Sequence, residues 1–180
     1  TSPAALAAAA ALLAVDPRDE AALSALTIDS LLAAYDEGRL IVDAPDSPEP
    51  VERRRFEMPH NGDWGDVLFM HPPAAASFSV DLPPEPAELR FRVALDPQSR
   101  EWGGDGVTFV VVAQPEGGEP REVFRQHVGR EMVDWLPARV SLADLAGQRV
   151  TLTFITETGP AGGGTADWAG WDSPRILRQP

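Results

Sequence analysis

The sequence contains no cysteine, no lysine and only one tyrosine among its 180 residues. The absence of cysteine excludes disulfide bonds, thiolate metal sites and a cysteine nucleophile. The basic residues are 15 arginines against 28 acidic residues, so the formal net charge is −13. Because a nucleic-acid binder needs a basic surface to contact phosphates, this acidic protein is expected to have no nucleic-acid partner and to avoid anionic membrane surfaces.

A long hydrophobic segment is also missing. The longest apolar run, residues 4–15, consists mainly of alanine and is shorter than the roughly 20 residues that span a bilayer. No basic residue precedes it, as one would in a signal peptide. We therefore expect an alanine-rich soluble helix and no membrane span in this chain. The start at Thr1 is compatible with the removal of an upstream signal or anchor.

Composition divides the chain into three segments. Residues 1–42 are acidic and rich in alanine and leucine, which favours helix. Within them, Thr27 is expected to cap a helix over residues 28–37. Residues 43–50 contain three prolines and three acids, which is typical of an extended linker. Residues 51–180 form the third segment.

The third segment has the periodicity of strands. Apolar residues alternate over residues 89–95, 107–112 and 150–154, and about eight or nine such strands are separated by turn-forming clusters. No helix intervenes between these strands. The sequence therefore predicts a mainly β protein, an antiparallel β-sandwich or jelly roll, preceded by a short α-helical N-terminal segment.

Motifs for catalysis are scarce. The three histidines form no close-spaced ligand pair of the kind that holds zinc. The nucleophile motif GxSxG is absent. A Ser-His-Asp triad is not visible in sequence, because its members meet only in space. The hypothesis of an esterase or glycosidase on a jelly roll therefore rests only on unplaced acids and histidines, and we expect the protein not to be an enzyme.

Three segments stand out for binding. His71-Pro72-Pro73 ends an apolar strand, where the imidazole is expected to bond a turn backbone. Residues 102–107 (WGGDGV) place Asp105 between glycines before a buried strand, where it can cap a turn or bind a cation. Residues 167–175 (DWAGWDSPR) hold two tryptophans beside acids. A tryptophan face can stack on a sugar, although we expect at least one of these two rings in the core.

Trp135 and residues 140–148 (VSLADLAGQ) lie between the second and third of these segments. The resulting order of motifs resembles that of galactose-binding-like jelly-roll domains of extracytoplasmic bacterial proteins. It is similar to NPCBM-type carbohydrate-binding modules over about residues 66–178. The resemblance implies a two-sheet sandwich that binds ligands at its loop ends and often holds a structural Ca²⁺. Asp105, Asp167 and Trp168 match its motifs.

Two sets of candidate residues follow. The candidate ligand-binding residues are Trp102, Asp105, Asp167, Trp168, Trp171 and Arg175. The candidate Ca²⁺ ligands are Asp96, Asp105, Glu157 and Asp167.

The leading functional interpretation is a non-catalytic, extracytoplasmic carbohydrate-binding-like module whose partner is a glycan. The alternative is a structural or docking subunit, periplasmic or on the cell surface, that uses the sandwich as a scaffold within a membrane-associated or envelope protein complex. In that case the acidic N-terminal helices would provide the contact with other subunits.

Overall fold

A computed structural model describes residues 19–160, 162 and 167–179. The helix predicted for residues 4–15 and most of the glycine run at 162–164 lie outside these residues. The helices are α1 (Glu20–Leu26) and α2 (Leu31–Asp36). The strands are β1 (Thr27–Ser30), β2 (Ile41–Asp43), β3 (Glu52–Glu57), β4 (Trp64–Met70), β5 (Ala74–Asp81), β6 (Ala87–Leu95), β7 (Val107–Pro115), β8 (Arg121–Val128), β9 (Leu136–Ser141), β10 (Arg149–Thr158) and β11 (Ala169–Arg178). Short 3-10 helices span Pro97–Trp102 and Ala143–Leu145.

The strands form two antiparallel sheets that face each other. One sheet has the order β3-β4-β11-β6-β9, with β1 also paired to β11. The other has the order β2-β5-β10-β7-β8. Along β10, buried and half-buried residues alternate, which is the pattern of a strand with one face in the core. The predicted mainly β, antiparallel sandwich is therefore confirmed.

The core between the sheets is centred on Trp171, which has 0% of its surface exposed. Its ring lies edge-on to Phe109 and Phe154, with centroid distances of 5.0 and 5.1 Å, and is tilted against Phe91 at 5.4 Å. These are favourable geometries for aromatic pairs. The ring thus joins β11 of one sheet to β7 and β10 of the other.

A second apolar cluster lies on the opposite face of the six-stranded sheet. Val67 and Phe69 alternate along β4 with Leu68 and Met70, which belong to the main core, so they point outward. We call this group the outer-face cluster. It comprises Phe56, Met58, Val67, Phe69, Ala94 and Trp135, with Trp168 packed against it.

The described part of the N-terminal segment is not helical throughout. Residues 27–30, expected in a helix capped by Thr27, form β1, and Thr27 and Asp29 pair with Leu177 and Ile176 of β11. The helix begins only after Ser30, whose hydroxyl accepts the N–H of Ala33 at 3.1 Å. Tertiary pairing with β11 outweighs the helical preference of these residues.

The expected boundary at residue 42 also falls inside a strand. Residues 41–43 form β2 at the edge of the five-stranded sheet, paired with β5. Leu31 and Ala34 of α2 are fully buried in the main core. The described part of the N-terminal segment is therefore integrated into the sandwich. Among the described residues, none of the helices could span a lipid bilayer.

Candidate functional site

The motif-bearing loops meet at one end of the sandwich. Met70 and Leu95 both pair with Ala169, the first residue of β11. Val107, the first residue of β7, pairs with Thr158, the last of β10. Because neighbouring antiparallel strands begin and end at the same level, residues 71–73, 96–106, 159–160 and 167–168 lie together. We call this the loop end.

Asp167 is the most buried acid of the loop end. Its side chain has no exposed surface, and its Oδ1 accepts the backbone N–H of Gly106 at 3.1 Å. Its Oδ2 has no hydrogen-bond partner among the described residues. Burial, and to a lesser degree the charge of Asp105, raises the pKa of Asp167, whereas the Gly106 N–H and the charges of His71 and His127 act in the opposite direction.

Two glycines let the loop-end segments approach closely. Gly106 has φ +100°, and a Cβ there would lie 2.4 Å from the carbonyl oxygen of Val128. At Gly159, a Cβ would lie 2.5 Å from Cγ of Asp105. The carboxylate of Asp105 therefore lies directly against the backbone at the end of β10. The contact at Gly106 requires glycine, because it is with backbone atoms and φ is positive, whereas a Cβ at Gly159 would displace the Asp105 carboxylate.

Trp102 supplies the exposed aromatic surface of the loop end. It is the last residue of the 3-10 helix Pro97–Trp102, and 71% of its surface is exposed. Gly103, in the left-handed conformation with φ +86°, ends the helix. Asp96 caps its start, since Oδ1 accepts the N–H of Gln98 at 2.9 Å. The backbone N–H of Asp96 also donates to Trp168 O at 2.8 Å, and this hydrogen bond joins the loop after β6 to the segment before β11.

The other candidate residues have different environments. Trp168 is half-buried against the outer-face cluster. Trp171 lies in the core and has no face open to a ligand. Arg175 pairs with Glu20 at 2.8 Å and lies farther along β11, beside Ser30 and Arg90. The loop end thus unites Trp102, Asp105 and Asp167, but neither Trp171 nor Arg175.

The four candidate Ca²⁺ ligands are not assembled into one group. Asp96 caps a helix, and Glu157 receives two hydrogen bonds from Arg125, at 2.7 and 3.3 Å. Among the described residues, no three or more His, Asp or Glu side chains are grouped as metal ligands. Asp105 and Asp167 are electrostatically coupled, and the buried Asp167 Oδ2 is an oxygen of the kind that Ca²⁺ prefers. Two carboxylates would need backbone or water oxygens to complete its six to eight ligands.

Two histidines belong to the loop end, although only one was singled out from the sequence. His71 is buried, and its Nδ1 lies 2.9 Å from Pro72 O, which agrees with the expected turn contact. His127 of β8 was missed. A Cβ added at Gly106 would lie 3.1 Å from the ring carbon Cε1 of His127, so the ring is next to this glycine. The Nδ1 of His127 is 3.2 Å from Thr108 Oγ1. The alternation of β8 is weak, so its sequence did not show which side chains reach the loop end.

Two concave surface regions lie elsewhere. One, of about 560 Å³, lies between β8 and β9 and is lined in part by Arg121, Arg139 and Asp144. The other, of about 530 Å³, is formed by residues 42–51. The described residues that line them include no aromatic side chain. Neither region therefore offers a stacking surface of the kind that Trp102 provides.

Solved structures share this architecture. A CBM61 module, "TmCBM61", in complex with β-1,4-galactotriose is 15% identical, with a TM-score of 0.50 over 80% of this chain and 93% of that chain. The chain shares the β-sandwich fold of this module. A structure of the CBM51-2 domain in complex with GlcNAc and INT domains from Clostridium perfringens ZmpB is 11% identical, with a TM-score of 0.54 over 77% of this chain and 29% of that chain.

These matches confirm the resemblance to a galactose-binding-like jelly-roll domain. No model of a known protein family matches the sequence, and no curated protein matches it.

Proposed function

We propose that the protein is a non-catalytic, extracytoplasmic carbohydrate-binding module that contacts its glycan at the loop end. The observation that carries this proposal is the exposed ring of Trp102, on the same loop as the carboxylate of Asp105. A planar apolar ring covers the C–H face of a sugar, and a carboxylate accepts hydrogen bonds from its hydroxyls. The fold shared with carbohydrate-binding modules supports this assignment.

Each loop-end residue has a distinct role in this proposal. Trp102 stacks on the sugar ring, and Asp105 orients its hydroxyls. Asp167 is inaccessible, so it acts by holding Gly106 and thereby the loop that carries Trp102 and Asp105. If the loop end binds a Ca²⁺ ion, Asp105 and Asp167 would hold it, and the ion would neutralise the repulsion between their carboxylates. In this proposal, Trp171 and Arg175 stabilise the fold and do not contact the glycan.

A glycan array tests the proposal with two matched tryptophan variants. Trp102→Ala removes the exposed ring at the loop end. Trp64→Ala removes another half-exposed ring, which is at the far end of β4 and is 48% exposed. We expect the wild type and W64A to bind the same glycan and W102A to lose at least about tenfold in affinity. Silence of the wild type across plant, bacterial and host glycans, or equal loss in both variants, would contradict the proposal.

The extracytoplasmic location requires its own test. The resemblance to domains of extracytoplasmic bacterial proteins supports it. Fractionation of native cells should place the protein outside the cytoplasmic fraction, and recovery only with cytoplasmic enzymes would contradict that part of the proposal.

A docking subunit is the second candidate function. The observation that favours it is the exposed apolar edge of β2, where Ile41 is 72% exposed beside Val42. Native-state mass spectrometry of the protein taken from its source should then show a fixed set of partners. Ile41→Glu should release those partners while leaving glycan binding at the loop end unchanged. A free monomer would contradict this candidate.

A further inference from the structure

The only asparagine in the chain, Asn61, is followed directly by a glycine. Both residues are exposed in the loop that joins β3 to β4. Asparagine is among the chemically labile residues. Its side-chain amide is most susceptible before glycine, because glycine has no side chain to obstruct the approach of its own backbone nitrogen to the asparagine Cγ.

The loop itself explains why this dipeptide occurs here. Met58 O accepts the N–H groups of Asn61, at 3.3 Å, and Gly62, at 2.8 Å, and the Met58 N–H donates to Asp63 O at 2.8 Å. Gly62 has φ +70°, and a Cβ added there would meet nothing within 4 Å. Glycine is therefore required by conformation alone, as in hairpins that end in a left-handed residue.

The side chain of Asn61 links this loop to the segment before β9. Its Nδ2 donates to Asp134 Oδ1 at 3.2 Å, and its Oδ1 accepts the N–H of Asp63 at 2.8 Å. His60 Nε2 lies 3.2 Å from Asp134 Oδ2. We call these contacts the Asp134 latch.

The latch lies over the outer-face cluster. Met58, at the start of the loop, is fully buried in that cluster, and Trp135 follows Asp134 directly. Trp135 stacks on Phe56 at a centroid distance of 6.4 Å. The latch therefore holds two loops closed over buried apolar side chains.

We propose that Asn61 is a site of spontaneous deamidation, and that the product opens the Asp134 latch. When the loop opens, the Gly62 nitrogen loses its proton to solvent base and attacks Cγ of Asn61. A C–N bond forms, and the bond from Cγ to the amide nitrogen breaks, so that ammonia leaves with a proton. Water then hydrolyses the cyclic imide at either carbonyl, which yields aspartate or isoaspartate without any redox change.

The product has the wrong charge for its surroundings. The new carboxylate faces Asp134 Oδ1, to which the amide had donated a hydrogen bond. Two like charges at that separation repel each other. Isoaspartate also adds a carbon to the backbone and disturbs the hairpin register. Both products release the loop from the outer-face cluster.

The contacts of the Asp134 latch also control the rate of deamidation. The Gly62 N–H is bonded to Met58 O, and both polar atoms of the Asn61 amide are engaged, so the reaction requires local opening of the loop. Asp134→Ala removes part of the latch, and we expect it to speed deamidation about fivefold, the effect of losing about one net hydrogen bond.

Ageing of the purified protein at mildly alkaline pH tests the chemistry. Peptide mass mapping should show replacement of the amide NH₂ by OH at Asn61, with faster accumulation in D134A. Asn61→Gln, the matched control, keeps an amide but cannot close the five-membered ring, so it should show no change at this position. Absence of the mass change from the aged wild type, or a rate in D134A no greater than in the wild type, would overturn the proposal.

Hydrogen exchange tests the consequence. Asn61→Asp should increase exchange at residues 58–64 and at Trp135 relative to Asn61→Gln, because only the aspartate repels Asp134. Equal exchange in N61D and N61Q would overturn the claim that deamidation opens the latch.

Discussion

Arg92 Nε donates a hydrogen bond of 2.6 Å to the buried carboxylate of Asp172, which joins β6 to β11 on the outer face of the six-stranded sheet. The same guanidinium bonds Asp63 at 2.8 Å and lies 4.6 Å from the centroid of the Trp135 ring. One side chain thus anchors the β3–β4 loop and neutralises an acid inside the sheet. Burial raises the pKa of Asp172, and the charge of Arg92 opposes that shift.

Arg92→Met should destabilise the fold by about 2–4 kcal/mol, because it leaves Asp172 buried without its cation. The partial exposure of Arg92 places the effect below that of a fully enclosed pair. Urea unfolding measures it. Arg149→Met is the matched control, since Arg149 pairs with an exposed Asp81, and it should change stability by less than about 0.5 kcal/mol. Equal effects in the two variants would refute the role given to Arg92.

Asp167→Asn should raise the melting temperature at neutral pH. Because the pKa of Asp167 is raised in the folded state, the folded protein binds this proton more tightly than the unfolded chain. Its contribution to stability is therefore greatest at acid pH and falls as pH rises through the raised folded pKa. The amide keeps an oxygen for the Gly106 N–H and carries no charge, so we expect a gain of about 1–2 kcal/mol at neutral pH.

Thermal melts of the wild type and D167N across pH measure this gain. It should disappear at acid pH, where Asp167 is protonated. A gain that is independent of pH, or a loss at neutral pH, would show that burial of the charge is not what disfavours the ionised form.

Gly106→Ala should destabilise the fold by more than about 3 kcal/mol, because a Cβ would clash with the fixed backbone at Val128 in addition to the strain of a positive φ. Gly103→Ala is the control. Its φ is also positive, but a Cβ there meets nothing within 4 Å, so it should cost only about 1–2 kcal/mol. Chemical denaturation of both variants separates the cost of the steric clash from the cost of the positive φ. Similar losses of unfolding free energy in the two variants would contradict the close approach at Gly106.

Leu31→Ala should cost about 2–5 kcal/mol, the usual loss for a buried leucine. Ile41→Ala, ten residues farther along at an exposed edge, should be nearly neutral. Unfolding curves of these two variants test whether the N-terminal segment belongs to the cooperative unit. If L31A were neutral, the N-terminal segment would lie outside the cooperative unit.

Strand periodicity predicted the sandwich because strands such as β5 and β10 have one buried face and one face nearer solvent. The alternation in β10 and in the middle of β6 follows directly from the pleat. It could not reveal β1, because its four residues are all half-buried and show no alternation. Their conformation comes from β11, which is far away in sequence.

The candidate site was predicted in part for a similar reason. Motifs located Asp105, Asp167 and Trp102 in loops, and strand order brought those loops together. The sequence could not separate Trp168 from Trp171, because both flank the start of the same strand and only the pleat decides which ring enters the core. His127 and Gly129 approach Gly106 through pairing of β7 with β8, a contact that local sequence does not contain.

The position of β11 has a consequence for biosynthesis. It is the last of the described strands in the chain, yet it pairs with β1, β4 and β6 near the middle of its sheet. Until β11 has left the ribosome, β4 can pair only with β3, and β6 can pair only with β9. The six-stranded sheet therefore closes after translation of the whole module, as expected for a topology rich in distant contacts. A nascent chain stalled before Ala169 should remain bound to chaperones, whereas a chain extended beyond Arg178 should fold.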